Sequence, residues 1–290
     1  MSTAAAVAPP RQLEGLSRCA LGPCLLGTAF LVTQQLPVSP MWNSVERVVP
    51  AGLLLLALRP ALPRGSWWLR SLGLGALNFG AFFALQAFAV HRVPGAVVAT
   101  VTATQAVLVP LLVALFGERI QPRQVAAAAL GVVGVALLVL RAGHRLDAAG
   151  VAAALVLAGS AAAGMLLTRH WGTPPGTHHL STTAWQMLAG GFALVPLAFM
   201  LEGGPPAMTH GQVLAAGWLA AAATAAAFAL FFGGLHRGVP PATVARLALL
   251  SPVVAALLGW TFAGETLSPA QLVGIAMVLS AQLLGASRRG

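Results

Sequence analysis

Residues Gly117 to Gln124 have the sequence GERIQPRQ, and residues Gly264 to Gln271 have the sequence GETLSPAQ. Glycine, glutamate, proline and glutamine occupy the same four positions in both stretches, which lie 147 residues apart. Because the whole chain has only six acidic residues, a glutamate repeated at the same position favours an internal duplication over coincidence. The chain is therefore predicted to consist of two related halves.

The composition excludes a soluble globular protein. Hydrophobic residues make up 58% of the 290-residue chain and charged residues only 8%, with a mean hydropathy of +0.85. A soluble domain has about 25% charged residues, which is needed to cover its surface. The 16 basic residues give a net charge of +10 and are all arginine. They are scattered among apolar segments rather than gathered in a stripe, so the expected partner is a lipid bilayer and not nucleic acid.

Ten apolar segments are long enough to cross a membrane as helices, since a crossing takes about 20 helical residues. The predicted spans are Cys19–Leu36, Met41–Leu58, Trp68–Val90, Gly95–Phe116, Gln124–Leu140, Ala149–Thr168, Leu180–Leu201, Gly211–Leu235, Pro241–Phe262 and Ala270–Ala286. Several connections are only a few residues long, so neighbouring helices are expected to be antiparallel. The predicted fold class is an all-α integral membrane protein.

The distribution of arginine predicts the orientation, because cytoplasmic loops are enriched in positive charge. If the N-terminus is cytoplasmic, only Arg92, Arg141 and Arg145 lie outside, and Arg47 and Arg246 lie within spans. All the other arginines then lie on the cytoplasmic side. Both termini are therefore predicted to be cytoplasmic.

A second repeated feature defines the two halves. His91 to Pro94 has the sequence HRVP, and His236 to Pro240 has the sequence HRGVP. Each half then holds five spans, and two copies of a five-helix unit joined end to end must cross the membrane in opposite directions. The prediction is two inverted five-helix repeats, with an N-terminal cytoplasmic tail at 1–17, the first repeat at 18–141, a linker at 142–147 and the second repeat at 148–290. This is the plan of many secondary transporters, whose substrate site lies between the halves.

Several short motifs carry a resemblance to a known family. They are Arg47 with Pro50-Ala51-Gly52-Leu53-Leu54, Leu77-Asn78-Phe79-Gly80, Val93-Pro94-Gly95-Ala96, Gly117-Glu118-Arg119, Thr183-Ala184-Trp185-Gln186, Leu249-Leu250-Ser251-Pro252-Val253 and Gly264-Glu265-Thr266-Leu267. In this order and spacing the chain resembles the EamA-type members of the drug/metabolite transporter superfamily. The resemblance implies ten helices in two sets of five, a multi-pass protein of the bacterial inner membrane, and export of small metabolites.

The sequence contains no pattern typical of an enzyme or of a cofactor or metal site. Glu118 and Glu265 each precede a helix by a few residues, where a carboxylate satisfies free N–H groups, so they are interpreted as helix caps. His170, His178 and His179 flank one loop, and metal binding there is an alternative to an ordinary loop. No carboxylate is predicted to lie at mid-depth in a span.

Polar and aromatic side chains at mid-span depth are the candidates for the substrate pathway, because an amide facing lipid is costly. Asn78 and Gln86 are expected to share one helix face with Phe82 between them. The remaining candidates of this kind are Thr100, Thr104, Gln105, Thr224, Phe228, Phe231 and Ser251, where Ser251-Pro252 is expected to break the ninth span. The alternative for each polar residue is an ordinary hydrogen bond between helices.

Arg47 and Arg246 are the most specific candidates for substrate binding, because each is a charged residue inside a span. Each lies about six residues inside its span, or roughly 9 Å deep. One interpretation is that each lines one mouth of the pathway and attracts a substrate carboxylate; the other is that each extends to the nearer membrane interface. Trp185 and Gln186 occupy the position in the seventh span that corresponds to Arg47.

These features predict a secondary exporter of small metabolites such as amino acids, working by alternating access as a monomer or a homodimer. Proton coupling, exchange and facilitated diffusion all remain open. The phenylalanines of the eighth span favour a multidrug or other organic-solute exporter as an alternative. A channel or scaffold that does not cycle is the alternative of another class.

Overall fold

A computed structural model describes residues 10–33, 36–37, 39–93, 95–115, 121–139, 147–262 and 267–286. These residues form ten helices, labelled α1 to α10. Their bounds are α1 Pro10–Thr33, α2 Pro40–Leu58, α3 Trp67–Val90, α4 Gly95–Ala103 with Gln105–Leu115, α5 Pro122–Val139, α6 Ala148–Trp171, α7 His179–Glu202, α8 His210–His236, α9 Pro241–Phe262 and α10 Pro269–Ala286.

Eight of the ten helices are long and apolar enough to cross a membrane, while the apolar parts of α5 and α10 are shorter. The outward surface agrees with a lipid environment: Leu69, Met200, Phe262 and Leu283 expose 75%, 80%, 76% and 76% of their surface. Water would not support so much exposed apolar area on a folded chain. The protein is therefore an all-helical, multi-pass membrane protein, and the crossing of the bilayer by α5 and α10 stays a prediction.

Local sequence signals explain several helix ends. Asp147 precedes α6 and its carboxylate accepts a hydrogen bond from the N–H of Gly150 at 2.8 Å, while Thr209 and Gln212 form a reciprocal capping box at the start of α8. Gly172 and Gly203 follow α6 and α7 with φ of 63° and 78°, a conformation that glycine adopts without strain. The repeated glutamates Glu118 and Glu265 lie outside the described residues.

The first helix is longer than predicted. It begins at Pro10 rather than Cys19, so residues 10–17, assigned above to the N-terminal tail, are helical. Glu14 lies 2.7 Å from Arg18 and 3.6 Å from Arg237 at the end of α8, which anchors this polar turn. Hydropathy marks the part of a helix that lies in lipid and does not detect a polar extension.

Four interruptions occur at related places in the two halves. α3 contains a π-helical turn at Ala76–Gly80 and α8 contains one at Ala221–Ala226. These turns begin 145 residues apart, which is also the separation of His91 and His236. α4 is interrupted at Thr104, and α9 is interrupted between Leu247 and Leu250. A break in α9 was predicted, but it lies at Ala248 and Leu249, just before Ser251-Pro252, which belong to the first turn of the segment that follows. The two π turns and the α4 break were not predicted.

Close helix packing depends on glycine at several contacts. A Cβ atom added at Gly190 of α7 would overlap the carbonyl oxygen of Gly75 in α3, and one added at Gly134 of α5 would lie 2.8 Å from the carbonyl oxygen of Gly274 in α10. Small residues let two helix backbones approach in this way. The main core lies among α2, α3, α7 and α8, and includes Val48, Phe79, Met187 and Phe232.

Candidate substrate pathway

Arg47 of α2 and Thr224 of α8 meet in the interior. The guanidinium Nε of Arg47 donates to the Thr224 hydroxyl at 3.3 Å, and its Cζ lies 5.5 Å from the ring centre of Phe83 in α3. Thr224 belongs to the π turn of α8 and is fully buried. A helix of the first half thus places a cation against an irregular turn of the second half. Arg47 is half-buried, and its side chain is held among α2, α3 and α8. In this conformation it does not extend to the membrane interface.

Arg246 is 3% exposed and lies in α9, immediately before the break. Its Nε donates to the Oε1 of Gln282 in α10 at 3.4 Å, and the Gln282 amide donates back to the Arg246 carbonyl at 3.1 Å. An arginine that extends to the membrane surface would expose its guanidinium group, and Arg246 does not. Among the described residues, no carboxylate lies within ion-pair distance of Arg47 or Arg246.

Asn78 and Gln186 are also brought together. Asn78, in the π turn of α3, donates through Nδ2 to Gln186 Oε1 at 2.9 Å and to Thr168 Oγ1 at 3.1 Å. Thr168 in turn donates to the carbonyl of Gly164 at 2.7 Å. These side chains expose at most 7% of their surface. The cluster joins α3, α6 and α7. In this conformation the hydrogen bonds of its side chains are made to other members of the cluster and to the Gly164 carbonyl.

The aromatic side chains of α8 form a packed group with α3. The rings of Phe228 and Phe231 lie 6.5 Å apart, Phe228 lies 5.0 Å from Phe79, and Phe232 stacks on Phe228 at 6.0 Å. Phe82 packs edge-on against its neighbour Phe83 at 5.2 Å. Phe228 and Phe231, two of the residues predicted from the sequence, thus belong to one packed aromatic group that also includes Phe79 and Phe232, and its place on the substrate pathway stays a prediction.

The carboxylate of Glu202 connects the ends of two helices. Glu202 is the last residue of α7, and it accepts hydrogen bonds from the Ser39 hydroxyl at 2.5 Å and from the N–H groups of Met41 and Trp42 at 2.9 and 3.2 Å. His91 lies 3.8 Å from it. A side chain of the second half thus caps α2, a helix of the first half, at the end predicted to face outside.

The opposite end carries positive charge. His178 precedes α7, and its ring centre lies 4.3 Å from that of His179 with the two rings tilted by 34°. Burial lowers the pKa of His178, and the charges of Arg59, Arg237 and Arg18 lower it further. Within the part of the chain that the structure describes, no three histidine, cysteine or acidic side chains are arranged to hold a metal ion.

Comparison with known proteins identifies the family. The EamA-like transporter family matches twice, over residues 15–140 and 148–285. The chain belongs to the EamA-like transporter family. This family is part of the drug/metabolite transporter superfamily, and its members are transporters rather than enzymes.

Individual relatives agree with this assignment. The EamA-like chain is 37% identical over 265 residues to Protein PecM of Dickeya dadantii (strain 3937), covering 90% of this chain and 89% of PecM. It is 30% identical over 256 residues to the uncharacterized inner membrane transporter YedA of Escherichia coli (strain K12), covering 84% and 81%. A solved crystal structure superposes with a TM-score of 0.77 over 95% of this chain and 97% of the other, at 22% identity, which shows a shared fold.

Other predicted residues of this EamA-like transporter have structural contacts. Trp185 is 5% exposed and its Nε1 donates to the carbonyl of Ala61 at 2.7 Å, so it anchors the connection between α2 and α3. Thr104 donates to the Val101 carbonyl at 2.6 Å at the α4 break, next to the half-buried Gln105. Ser251 is half-buried, and a Cβ added at Gly27 of α1 would lie 2.6 Å from its carbonyl oxygen.

Asn78 and Gln86 have different environments. Asn78, within the π turn of α3, bonds to Thr168 and Gln186, whereas Gln86 has no hydrogen-bond partner among the described residues of the EamA-like chain. A π turn shifts the positions of side chains around a helix, and a shared face for Asn78 and Gln86 stays a prediction. Thr100 is half-buried on α4. Sequence reasoning missed Thr168, Gln282 and Glu202, because each acts through a helix distant in sequence.

A double-mutant cycle tests the Asn78 cluster. Because Asn78→Leu and Gln186→Leu each remove one side of the same hydrogen bond, their effects on the free energy of unfolding are expected to be non-additive by about 0.6–1.7 kcal/mol, the range measured for hydrogen bonds between membrane helices. Reversible unfolding in mixed micelles measures this coupling. Gln86→Leu combined with Asn78→Leu is the control and should be additive; equal coupling in both pairs would contradict the assignment.

Proposed function

We propose that this protein is a secondary exporter of small metabolites that carry a carboxylate, with amino acids as the first class to test. The observation that carries the proposal is the pair of interior guanidinium groups, Arg47 and Arg246, neither of which has a carboxylate partner among the described residues. A buried cation without a counter-ion is unfavourable in a membrane. A substrate carboxylate supplies the missing charge at the moment of binding.

The transport mechanism that fits the fold is alternating access between two inverted five-helix repeats. The family match to both halves supports the duplication. The paired π turns in α3 and α8 and the paired breaks in α4 and α9 support related roles for corresponding helices. Irregular turns at corresponding places provide hinges on both sides of a central site. In this scheme α5 and α10 also cross the membrane.

The proposed orientation places both termini in the cytoplasm. The contacts support it: Glu202 joins Ser39 and lies near His91, and all three are assigned to the outer side by the distribution of arginine. Glu14, Arg18 and Arg237, assigned to the inner side, also lie together. The proposed location is the bacterial inner membrane, the location printed for the relative YedA.

The proposed substrate contacts are Arg47 and Thr224 toward one side and Arg246 toward the other, with Phe82, Phe228 and Phe231 as the apolar wall. Asn78 and Gln186 would join them when the cluster with Thr168 opens. Gln86, Thr100, Thr104, Gln105, Trp185 and Ser251 complete the set proposed from the sequence. A wall of this kind contacts the side chain of a substrate whose carboxylate is held by arginine.

Counterflow in proteoliposomes tests the proposal. Unlabelled amino acid inside the vesicles should accelerate entry of the same radiolabelled amino acid, and the decarboxylated amine should not compete. Arg246→Gln is expected to raise the apparent KM by at least about tenfold, the loss expected when a charge-assisted hydrogen bond is removed. Arg64→Gln, in the exposed connection between α2 and α3, is the matched control and should leave the KM unchanged.

Two alternative functions predict different results in the same assay. The group formed by Phe79, Phe228, Phe231 and Phe232 favours an exporter of aromatic organic solutes. In that case uncharged aromatic compounds compete and Arg246→Gln has little effect on their KM. A channel gives flux without acceleration by substrate on the opposite side.

A further inference from the structure

Glu46 of α2 has an unusual environment for a carboxylate. It lies six residues after Pro40, the first residue of α2, which places it roughly 9 Å along a membrane helix. Its Oε2 atom is buried and has no hydrogen-bond partner among the residues that the structure describes. An ionised carboxylate without a donor is strongly disfavoured in such a place.

The neighbouring Arg47 does not neutralise it. The Arg47 guanidinium is directed to Thr224 and to the face of Phe83, and no ion pair joins it to Glu46. Consecutive residues on a helix point in directions about 100° apart, which explains why the two charged groups separate. The cation next to Glu46 in sequence is therefore engaged elsewhere.

A second buried oxygen on α2 also lacks a donor. Asn43 lies three residues before Glu46, its Nδ2 donates to the Pro37 carbonyl at 3.1 Å, and its Oδ1 is buried without a partner among the described residues. The bond to Pro37 identifies the nitrogen of this amide. Residues three apart on a helix are neighbours. One proton on Glu46 would turn an acceptor into a donor and could satisfy both oxygens at once.

We propose that Glu46 carries the coupling proton of this transporter and is protonated in the conformation described here, with its O–H group directed toward Asn43. This inference rests on the proposed function and specifies the energy source of transport, which is the entry of protons. In the outward-facing state a proton from the external water binds to Glu46 and displaces the ammonium group of the substrate. In the inward-facing state the proton leaves to the cytoplasm, and the carboxylate binds the ammonium group of the next substrate.

The same step narrows the substrate class. Arg47 binds the carboxylate and ionised Glu46 binds the ammonium group, so the substrate is a zwitterion such as a neutral amino acid. One proton enters for each substrate that leaves. Apart from Arg47, the other charged or titratable side chains on α2 and on the helices packed against it lie at or near the helix ends. They are Arg59 after α2, Arg70 near the start of α3 and His91 after it, His178, His179 and Glu202 at the two ends of α7, and His210, His236 and Arg237 at the two ends of α8. Arg47 is the residue adjacent to Glu46 in sequence.

Infrared difference spectroscopy of the purified full-length protein tests the protonation without any substrate. At neutral pH the wild type is expected to show a carboxylic-acid carbonyl band that Glu46→Gln lacks and that shifts in Asn43→Leu. Glu14→Gln, which changes an exposed carboxylate already paired with Arg18, should keep the band. Identical spectra for the wild type and Glu46→Gln would overturn the proposal.

Transport in proteoliposomes tests the coupling. With radiolabelled leucine, threonine and alanine as probes, Glu46→Gln should reduce transport driven by a pH gradient by at least about tenfold. Counterflow, which needs no net proton movement, should persist but with a raised apparent KM, because the amide no longer pairs with the ammonium group of the substrate. Glu14→Gln should respond to the gradient like the wild type. If Glu46→Gln keeps its response to the gradient, the proposal is wrong. If no probe shows counterflow, the proposed function fails instead, and the infrared result still decides the protonation.

Discussion

The substitution Gly75→Leu is expected to prevent the protein from folding. The substitution Gly73→Leu, two residues earlier on the same helix, is expected to be tolerated. A Cβ atom at Gly75 would lie 2.6 Å from the carbonyl oxygen of Gln186, 2.7 Å from the Cβ of Ala189 and 2.9 Å from the amide nitrogen of Gly190. Two of these three atoms belong to the backbone of α7. A Cβ atom at Gly73 meets nothing within 4 Å.

The loss of stability in Gly75→Leu depends on whether side chains or the backbone must move to make room for the new side chain. Overpacking a core costs about 1–3 kcal/mol when side chains can shift. Here the obstacle is the α7 backbone beside the π turn of α3, so the loss of stability is expected to exceed that range. Size-exclusion chromatography of the fluorescently tagged full-length chain measures it as loss of the monodisperse peak. A normal peak for Gly75→Leu, with thermal stability equal to that of Gly73→Leu, would contradict the packing described here.

Replacing Glu202 with alanine is expected to lower the free energy of unfolding by about 2–4 kcal/mol, because it removes three hydrogen bonds to a charged acceptor. The donors are the Ser39 hydroxyl and the N–H groups of Met41 and Trp42. The Ser39 side chain does not cap its own helix, so the first turn of α2 depends on Glu202 for this role. The change also frees the end of α7 beside α2.

Chemical denaturation in mixed micelles measures this loss. Glu202→Gln keeps one acceptor oxygen and should lose about half as much. Glu14→Ala removes an exposed carboxylate and should have an effect below about 1 kcal/mol. Equal stability of Glu202→Ala and the wild type would show that another group caps α2.

Much of the architecture follows from local sequence. Nine of the ten predicted segments begin within two residues of the observed helices, because hydropathy and flanking glycine, proline and arginine mark where a helix enters lipid. The break in α9 follows from Ser251-Pro252, since proline removes a backbone donor.

Other features had no local signal. The π turns Ala76–Gly80 and Ala221–Ala226 lie in stretches that read as ordinary apolar helix, and the break at Thr104 has no proline beside it. The environment of Glu46 had no local signal either, because it depends on where Arg47 points and on the Oδ1 atom of Asn43, which has no donor among the described residues. Neither fact is present in the order of residues along α2.

The sequence by itself determined that this is a duplicated, helical membrane protein of the EamA-like transporter family, because hydropathy, arginine placement and repeated motifs are properties of short segments. Only the tertiary structure decided which polar groups meet. It paired Arg47 with Thr224, Arg246 with Gln282 and Asn78 with Gln186. Within the described part of the chain, it left the buried Oε2 atom of Glu46 without a donor. Those outcomes depend on how helices distant in sequence cross and rotate, which is set by packing between backbones.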